Sequence, residues 1–292
     1  FARDVLVPGA AHWEEAEELP REVLATLAAR GFSGMTLPRS VGGAELSHVA
    51  ALAVFEALAY GDMGVAFALL CQNSSARSIW MEGSGAQCER WLPGLMNGDD
   101  LGAYVITEPG AGSDPASMMT VASRTREGWT LTGEKTLSSN VPEASTLVVS
   151  AKTDETAGAR GISAFVMAAN QPGIEARRFR LHGTRALPVG SLRFEAVGVP
   201  AGALLGEEGK GFKIALDAVN WARAVWAGLA AGVAQAAVDG ALAYLSEREQ
   251  FGTSLADLQG VQFQLAELVT EVETVRLHGY RAASFFDRGD QA

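Results

Sequence analysis

The sequence predicts a mainly helical α+β fold, with an N-terminal helical domain, a central antiparallel β domain and a C-terminal helical bundle. Apolar residues recur at helical spacing in residues 1–101 and again from about residue 204, whereas the segment between them consists of short β-branched and aromatic runs separated by turn residues. With 292 residues, 48% of them hydrophobic, the chain can bury a core for two or three domains. We therefore expect domains over residues 1–101, 102–203 and 204–292, the last of them incomplete.

Composition limits the classes of partner and location. The chain has 23 Lys and Arg against 34 Asp and Glu, a formal charge of −11, and no basic patch stands out, so nucleic acid is not an expected partner. No unbroken apolar run approaches the ~20 residues that span a membrane, and no signal peptide is visible, so we expect no membrane insertion. Cys71 and Cys88 are the only cysteines and have no metal-ligand spacing. We expect a reducing, cytoplasmic location and no metal site.

The first segment contains several predicted helices. Residues 13–30 are rich in Glu, Leu and Ala and end at Gly31, which is typical of a helix C-terminus. Ser47 is placed to cap a helix whose apolar residues recur at three and four positions. Further helices are expected over residues 64–81 and 87–96.

The middle and last segments differ in their period. Short strands are predicted at residues 129–132, 146–151, 162–167 and 192–194, and they should pair antiparallel because no helical pattern separates them. A long helix is expected over residues 212–248, and after a turn a second long helix follows. Two antiparallel helices cannot enclose a core alone, so the remaining helices must come from the N-terminal segment, another subunit or chain beyond Ala292.

A strand that ends in a glycine corner lies between Tyr104 and Asp114. Gly110 and Gly112 lack the Cβ atoms that would keep a ligand away from the backbone, and Thr107 offers a hydroxyl beside them. On this pattern alone, an ordinary strand-to-loop corner and a ligand-binding loop are equally compatible with the sequence.

Four segments in order resemble the acyl-CoA dehydrogenase family. Residues 107–114 match the family's flavin and substrate loop residue for residue, and residues 128–140 are similar to its second flavin segment. Residues 204–212 are similar to the entry into its C-terminal bundle, and residues 247–252 with Gln259 to the segment that reaches the flavin of a neighbouring subunit. The resemblance covers essentially the whole chain, and it implies FAD bound in a homo-oligomer, either a dimer or a tetramer.

The resemblance also implies individual roles. Ile106 and Thr107 would bond the isoalloxazine edge through backbone and hydroxyl groups, Ser139 would do so near N5, and Arg248 would contact the FAD phosphates across a subunit interface. Without the resemblance, Arg248 is a cation that complements the C-terminal dipole of its helix. The implied cofactor contacts are Tyr104, Ile106, Thr107, Gly112, Ser113, Leu137, Ser138, Ser139, Arg248, Gln250, Phe251 and Gln259, and the implied substrate contacts are Ser113, Asn220, Trp221 and Arg223.

The chemistry implied by the resemblance is α,β-dehydrogenation of an acyl thioester carried by CoA or by an acyl-carrier protein. A carboxylate base removes the α-proton, the flavin N5 takes the hydride, and an electron-transfer flavoprotein is the expected acceptor. Three features depart from the family pattern. The usual catalytic Glu lies in a later segment that we do not expect in this chain, and Ala222 occupies the alternative position, so no base is assigned. Leu137 replaces an aromatic residue, and residues 181–188 match their family segment only loosely.

Two alternatives therefore stay open. One is a flavin oxidase or monooxygenase on the same fold, in which the base is different or dispensable. The other is a fold relative that has lost its chemistry and acts as a binding subunit.

Overall fold

The computed structural model describes residues Phe1–Asp290, which form two compact units. The helical unit comprises Phe1–His12, Leu46–Phe67 and the residues from Arg223 onward, and the sheet unit comprises Trp13–Glu45 and Ala68–Ala222. The α-helices are α1 (Val7–Ala16), α2 (Arg21–Ala28), α3 (His48–Gly61), α4 (Met63–Glu82), α5 (Gly85–Asn97), α6 (Gly211–Glu247) and α7 (Gln259–Asp287). The expected fold class, with helices before and after a central sheet, is confirmed.

An eight-stranded sheet forms the centre of the sheet unit. Its strands are β1 (Gly102–Val105), β2 (Val121–Arg124), β3 (Gly128–Ser139), β4 (Thr146–Lys152), β5 (Ile162–Ala168), β6 (Ile174–Arg178), β7 (Val189–Pro200) and β8 (Leu204–Leu205). They lie in the order β6-β7-β3-β2-β4-β5-β8, with β1 paired to β4. A two-stranded ribbon, β9 (Glu249–Gln250) and β10 (Thr253–Ser254), belongs to the helical unit.

The pairing of the sheet is only partly as expected. Most neighbouring strands are antiparallel, but β1 runs parallel to β4, with Gly102 opposite Thr146 and Val105 opposite Val149. The prediction of an antiparallel sheet is therefore wrong where β2 meets β4, since Val121 and Lys152 pair in parallel, and it is also wrong for β1 and β4. A parallel pair needs a long crossover, and the chain between these two strands supplies one because it folds into β2 and β3.

The two faces of the sheet bury different sets of residues. On one face, Ala103 and Val105 of β1 join a cluster in which the rings of Trp129 and Phe165 meet edge-on, with their centroids 5.7 Å apart. On the other face, the apolar residues of α4 and α5 pack against β4 and β5. β1 is therefore packed on both faces, by the first cluster at Ala103 and Val105 and by the second at Tyr104.

Gln72 of α4 fixes the start of β1 by hydrogen bonds alone. Its Nε2 donates to the carbonyls of Leu95 (2.7 Å) and Asp100 (3.1 Å), and its Oε1 accepts from Gly102 N–H at 2.6 Å. Because this amide is buried and fully used, β1 begins at a defined place relative to α4.

The helix predictions fail at one place. Residues 13–30 do not form one helix, because α1 starts earlier and ends at Ala16, Glu17 has a φ of 56°, and Pro20 precedes α2. Proline has no N–H to continue the helical ladder, so the segment divides there. The predicted cap is confirmed, since Ser47 Oγ accepts from the N–H of Ala50 at 3.1 Å.

A charged and polar network ties the helices of the helical unit together. Arg276 of α7 donates to Glu56 of α3 at 2.6 Å and to Gln235 of α6 at 2.9 Å. Gln235 in turn donates to Asp239 at 2.7 Å, and Tyr60 donates to the other oxygen of that carboxylate at 3.0 Å. Each of the three helices contributes at least one member, so the network sets their register.

Helix α6 is the single helix within residues 1–290 that is long and apolar enough to cross a membrane by length and composition. Its most apolar 18-residue window has a mean hydropathy of 1.3, and 33% of that window is buried. The helix contains no unbroken apolar run of about 20 residues, because residues such as Arg223 and Gln235 interrupt it. Core helices of soluble proteins can have the same length and apolar composition.

Asp287, the last residue of α7, caps the N-terminus of α3. Its carboxylate accepts from the backbone N–H of His48 (2.6 Å) and of Val49 (3.1 Å), and it contacts Nδ1 of His48 at 2.8 Å. Burial opposes the charge, but these hydrogen bonds hold the pKa of Asp287 below its ordinary value. The carboxylate therefore contributes to stability in its ionised form.

We expect Asp287→Ala to lower the free energy of unfolding by about 1–2 kcal/mol, because the first turn of α3 loses two acceptors. Since the pKa is lower in the folded protein, this contribution is complete above the ordinary carboxyl pKa and is lost as the pH falls through the lowered value. Denaturant unfolding at several pH values measures both effects. The control is Asp290→Ala, which removes an exposed partner of Arg288 and should cost less than about 0.5 kcal/mol. Equal losses in the two variants would contradict the capping role.

Candidate functional site

The candidate site lies where β1 ends and the loop after it meets the end of β3. The ladder between β3 and β7 shifts register between Lys135 and Ser138, so Thr136 and Leu137 form a bulge. Leu137 has a φ of 49° and its side chain is 63% exposed, whereas Lys135 and Ser138 on either side of the bulge are buried. The bulge therefore turns one apolar side chain outward.

Buried hydrogen bonds anchor both ends of this bulged segment. At one end, Lys135 Nζ donates to the carbonyl of Ile106 at 2.9 Å. At the other end, Asn140 Nδ2 donates to the carbonyls of Ala68 (3.1 Å) and Gly102 (2.9 Å). Between the anchors, the N–H of Thr136 donates to the carbonyl of Thr107 at 2.9 Å, which joins the bulge to the loop after β1.

Glu108 and Lys135 form a buried ion pair at the centre of the site. Lys135 Nζ lies 2.8 Å from Glu108 Oε1, and the two side chains are 0% and 5% exposed. The Glu108 carboxylate also accepts from the backbone N–H groups of Met119 and Thr120. Burial opposes the charge of Glu108, but Lys135 and these N–H groups hold its pKa below the ordinary value. Burial lowers the pKa of Lys135, and Glu108 opposes that shift.

The glycine corner lies on the outer side of this pair. Glu108 and Ala111 exchange two backbone hydrogen bonds of 3.1 Å, which close the turn. A Cβ added to Gly110 or Gly112 would meet nothing within 4 Å, so neither glycine is required by packing inside the protein. The two positions leave a strip of bare backbone, with the exposed Ser113 beside it.

Ser138 and Ser139 point in different directions. Ser138 is buried, and its hydroxyl donates to the carbonyl of Thr136 at 3.4 Å. Ser139 is half-buried and hydrogen-bonds Cys71 of α4. Burial raises the pKa of Cys71 to about 12 and the Ser139 bond opposes this rise, so the sulfur is a neutral thiol at physiological pH.

Tyr104 lies on the opposite face of β1 from Ala103 and Val105. Its ring packs into the cluster between the sheet and helices α4 and α5, and burial raises the pKa of its phenol, with the neighbouring Ser150 hydroxyl opposing the rise. The phenol is therefore neutral.

The remaining candidate residues come later in the sequence, and they are divided between the two units. Trp221 of α6 is 1% exposed in the sheet unit, with Asn220 exposed beside it and Ala222 next in the helix. The helical unit carries Arg223, Arg248, Gln250, Phe251 and Gln259, all exposed. Phe251 is at the tip of the β9–β10 ribbon with a φ of 56° and 98% of its side chain exposed. The structure thus brings together residues 106–113 and 137–139 in the sheet unit, and the ribbon residues belong to the helical unit.

The sequence reading assigned no role to Glu108 or Lys135. A signal was nevertheless present. Trp129, Leu131 and Lys135 share one face of a strand by its period of two, and the first two face the core. A lysine at such a position needs a buried anion, but the sequence does not say which of the 34 acidic residues supplies it.

Comparisons with known proteins cover almost the whole chain. Family models described as the acyl-CoA dehydrogenase N-terminal, middle and C-terminal domains match residues 1–99, 103–197 and 209–292. The expectation that the C-terminal part of the family fold is missing is therefore wrong, because the C-terminal domain is present.

Individual relatives agree with the family models. The chain is 36% identical to a glutaryl-CoA dehydrogenase of Desulfococcus multivorans, over 99% of this chain and 76% of the relative. Its structure is similar to that of a butyryl-CoA dehydrogenase from Megasphaera elsdenii (TM-score 0.95, 33% identity, 99% and 77% of the two chains). It is also similar to the FAD complex of PigA (TM-score 0.94, 29% identity, 100% and 77%).

We expect Lys135→Met to lower the free energy of unfolding by about 3–5 kcal/mol, because it leaves the carboxylate of Glu108 buried without its cation. Lys135→Met combined with Glu108→Gln should recover part of that loss, since it buries no unpaired charge. Denaturant unfolding of the single and double variants gives the coupling between the two residues. Arg193→Met, which removes an exposed partner of Glu195, is the matched control and should cost less than about 1 kcal/mol. A single variant as stable as this control would contradict the importance of the buried pair.

Proposed function

Because the chain belongs to the acyl-CoA dehydrogenase family, we propose that it catalyses FAD-dependent α,β-dehydrogenation of an acyl thioester. The observation that carries the proposal is the match to all three domains of the family along one chain. The two segments that resemble the family's flavin segments, residues 107–114 and 128–140, follow one another within the range that the middle-domain model matches. The three-part division at residues 1–101, 102–203 and 204–292 is part of this proposal.

The residues around the glycine corner fit a flavin ring system. Within the described part of the chain, the N–H of Thr107 has no hydrogen-bond acceptor, although its peptide is held on both sides. Leu137 offers an exposed apolar surface, and the bare backbone at Gly110 and Gly112 allows close approach. An unpaired donor beside an apolar surface suits a planar heterocycle that carries acceptors at its edge.

On this proposal the protein's own groups bind and orient the reactants. Thr107 holds the edge of the ring through its N–H and hydroxyl, and the Ser139 hydroxyl makes a second contact. Leu137 covers the ring and excludes water, although it lacks the aromatic stacking worth about 1 kcal/mol. When bound, FAD supplies the redox chemistry by accepting a hydride from the substrate. Tyr104, Gly112 and Ser138 are the remaining proposed cofactor contacts in the sheet unit.

The ribbon residues are proposed to bind the FAD of a neighbouring subunit. Arg248, Gln250, Phe251 and Gln259 are exposed in this chain, and a guanidinium provides the planar donors that a pyrophosphate accepts. An exposed aromatic ring such as that of Phe251 can stack on an adenine. The proposal therefore includes a homo-oligomer, either a dimer or a tetramer.

Substrate contacts are proposed at Ser113, Asn220, Trp221 and Arg223, with CoA or an acyl-carrier protein as the carrier of the acyl group. An electron-transfer flavoprotein is the proposed acceptor, and the cytoplasm is the proposed location. No residue is assigned as the base that takes the α-proton, because Ala222 has no acidic group.

The proposal is tested by the colour and reactivity of the purified protein. We expect it to bind FAD and to be bleached anaerobically by at least one member of a panel of acyl-CoA thioesters of increasing length. Rapid reoxidation of the bleached protein by O₂ would favour the oxidase alternative instead. A folded, oligomeric protein that takes up no FAD would contradict the proposal and favour a binding subunit.

We expect Arg248→Ala to raise the dissociation constant for FAD by about tenfold to a hundredfold, because charge-assisted bonds to the pyrophosphate are lost. Arg248→Lys should have an intermediate effect, since it keeps the charge without the planar pair of donors. Fluorescence titration of the FAD-free protein measures these constants. Arg193→Ala, a substitution of another exposed arginine in the sheet unit, should leave FAD binding unchanged, and an equal loss there would refute a specific role for Arg248.

A further inference from the structure

One peptide group joins the buried ion pair to the proposed flavin contact. The carbonyl of Ile106 accepts from Lys135 Nζ at 2.9 Å, and the N–H of the same peptide belongs to Thr107. A trans peptide is planar, so its C=O and N–H bonds point in opposite directions. Fixing the carbonyl toward Lys135 therefore fixes the Thr107 N–H toward the other side of the chain.

The bond from Lys135 also changes the strength of that N–H as a donor. Lys135 is 0% exposed, so water does not screen its charge. A hydrogen bond from a cation to a peptide oxygen polarises the peptide and makes its N–H more positive. The Thr107 N–H is thus an aimed and strengthened donor that has no acceptor within residues 1–290.

Neighbouring contacts keep this peptide from rotating. The next carbonyl, that of Thr107, accepts from Thr136 N–H at 2.9 Å, so β3 holds the peptide on the other side of the Thr107 Cα. Glu108 holds Lys135 at 2.8 Å and is itself held by the backbone N–H groups of Met119 and Thr120. Both ends of the arrangement are therefore anchored to backbone.

We propose that Lys135 and Glu108 are positioning residues for the flavin: Lys135 aims and polarises the Ile106–Thr107 peptide so that Thr107 N–H binds the edge of the ring, and Glu108 fixes Lys135. The inference rests on the proposed function, because it requires FAD at this site. It adds a consequence that binding alone does not have. Reduction places more negative charge on the ring edge, so a polarised donor there favours the reduced form.

The test compares FAD-loaded wild type with the double variant Lys135→Met/Glu108→Gln, which buries no unpaired charge. We expect the equilibrium constant for two-electron reduction to fall about tenfold, which is a decrease of about 30 mV in the midpoint potential. The absorption band of the bound flavin should also shift, because the hydrogen bond to the ring edge weakens. Potentials are measured by anaerobic titration against a reference dye, without any acyl substrate.

The matched control is Gln87→Leu in the same unit. Gln87 is a buried amide whose Nε2 donates to the carbonyls of Gly202 (3.0 Å) and Leu204 (2.9 Å), so its loss destabilises the protein without touching the site. A purely structural role for the ion pair predicts equal potentials in the control, the double variant and wild type. That result, obtained with FAD bound, would overturn the inference and leave the proposed function intact.

A second variant and a second readout cover failure of the double variant to fold. Glu108→Asp keeps the charge but retracts it by one methylene, and we expect a smaller decrease in potential in the same direction. In wild type, FAD should slow hydrogen exchange of the Thr107 amide by about tenfold or more. A Thr107 amide that exchanges equally fast with and without bound FAD would overturn the inference. A wild-type protein that takes up no FAD would overturn the proposed function as well.

Discussion

The geometry of the candidate site depends on a lysine and a glutamate that are both removed from water. Burial of either charge alone is costly, and the pair is stable only because each member also uses backbone groups. Lys135 reaches the carbonyl of Ile106, and Glu108 reaches the N–H groups of Met119 and Thr120. These bonds join the end of β1, the loop after it and the third strand. The loop that carries the glycine corner is consequently held from inside the protein, and its outer surface is left for a ligand.

Much of the fold could be predicted because the signals are local. The cap at Ser47, the apolar spacing of α3 and the short β-branched and aromatic runs of β4 and β5 each depend on residues that are close in the sequence. The failures are of two kinds. The break before α2 could have been predicted from Pro20, whereas the parallel pairing of β1 with β4 could not be predicted from the sequence. Pairing depends on which strand lies beside which, and that is decided by the packing of the whole sheet rather than by either strand.

The candidate site was likewise predictable from the sequence only in part. Residues 106–113 and 137–139 were identified as one group through their resemblance to a family, and the structure brings them together. The outward direction of Leu137 was not predicted, because a bulge is invisible to a period of two. The partner of Lys135 was also not predictable, since 27 residues separate it from Glu108 and no spacing rule links them. Arg248 and the ribbon residues remain proposals, because their expected ligand belongs to another subunit.

The bulge at Thr136 and Leu137 also places buried and exposed residues in an order that a regular strand does not allow. In a regular strand, Lys135 and Ser138 would face opposite sides of the sheet, and residue 137 would face the core on the same side as Lys135. The inserted residue allows both to face inward while Leu137 faces outward. A change of side-chain size at position 137 therefore does not require the core to repack, but the φ of 49° disfavours β-branched residues there. Residues without β-branching, exchanged at this one position, would alter the environment of a bound ring while leaving the packing of the core unchanged.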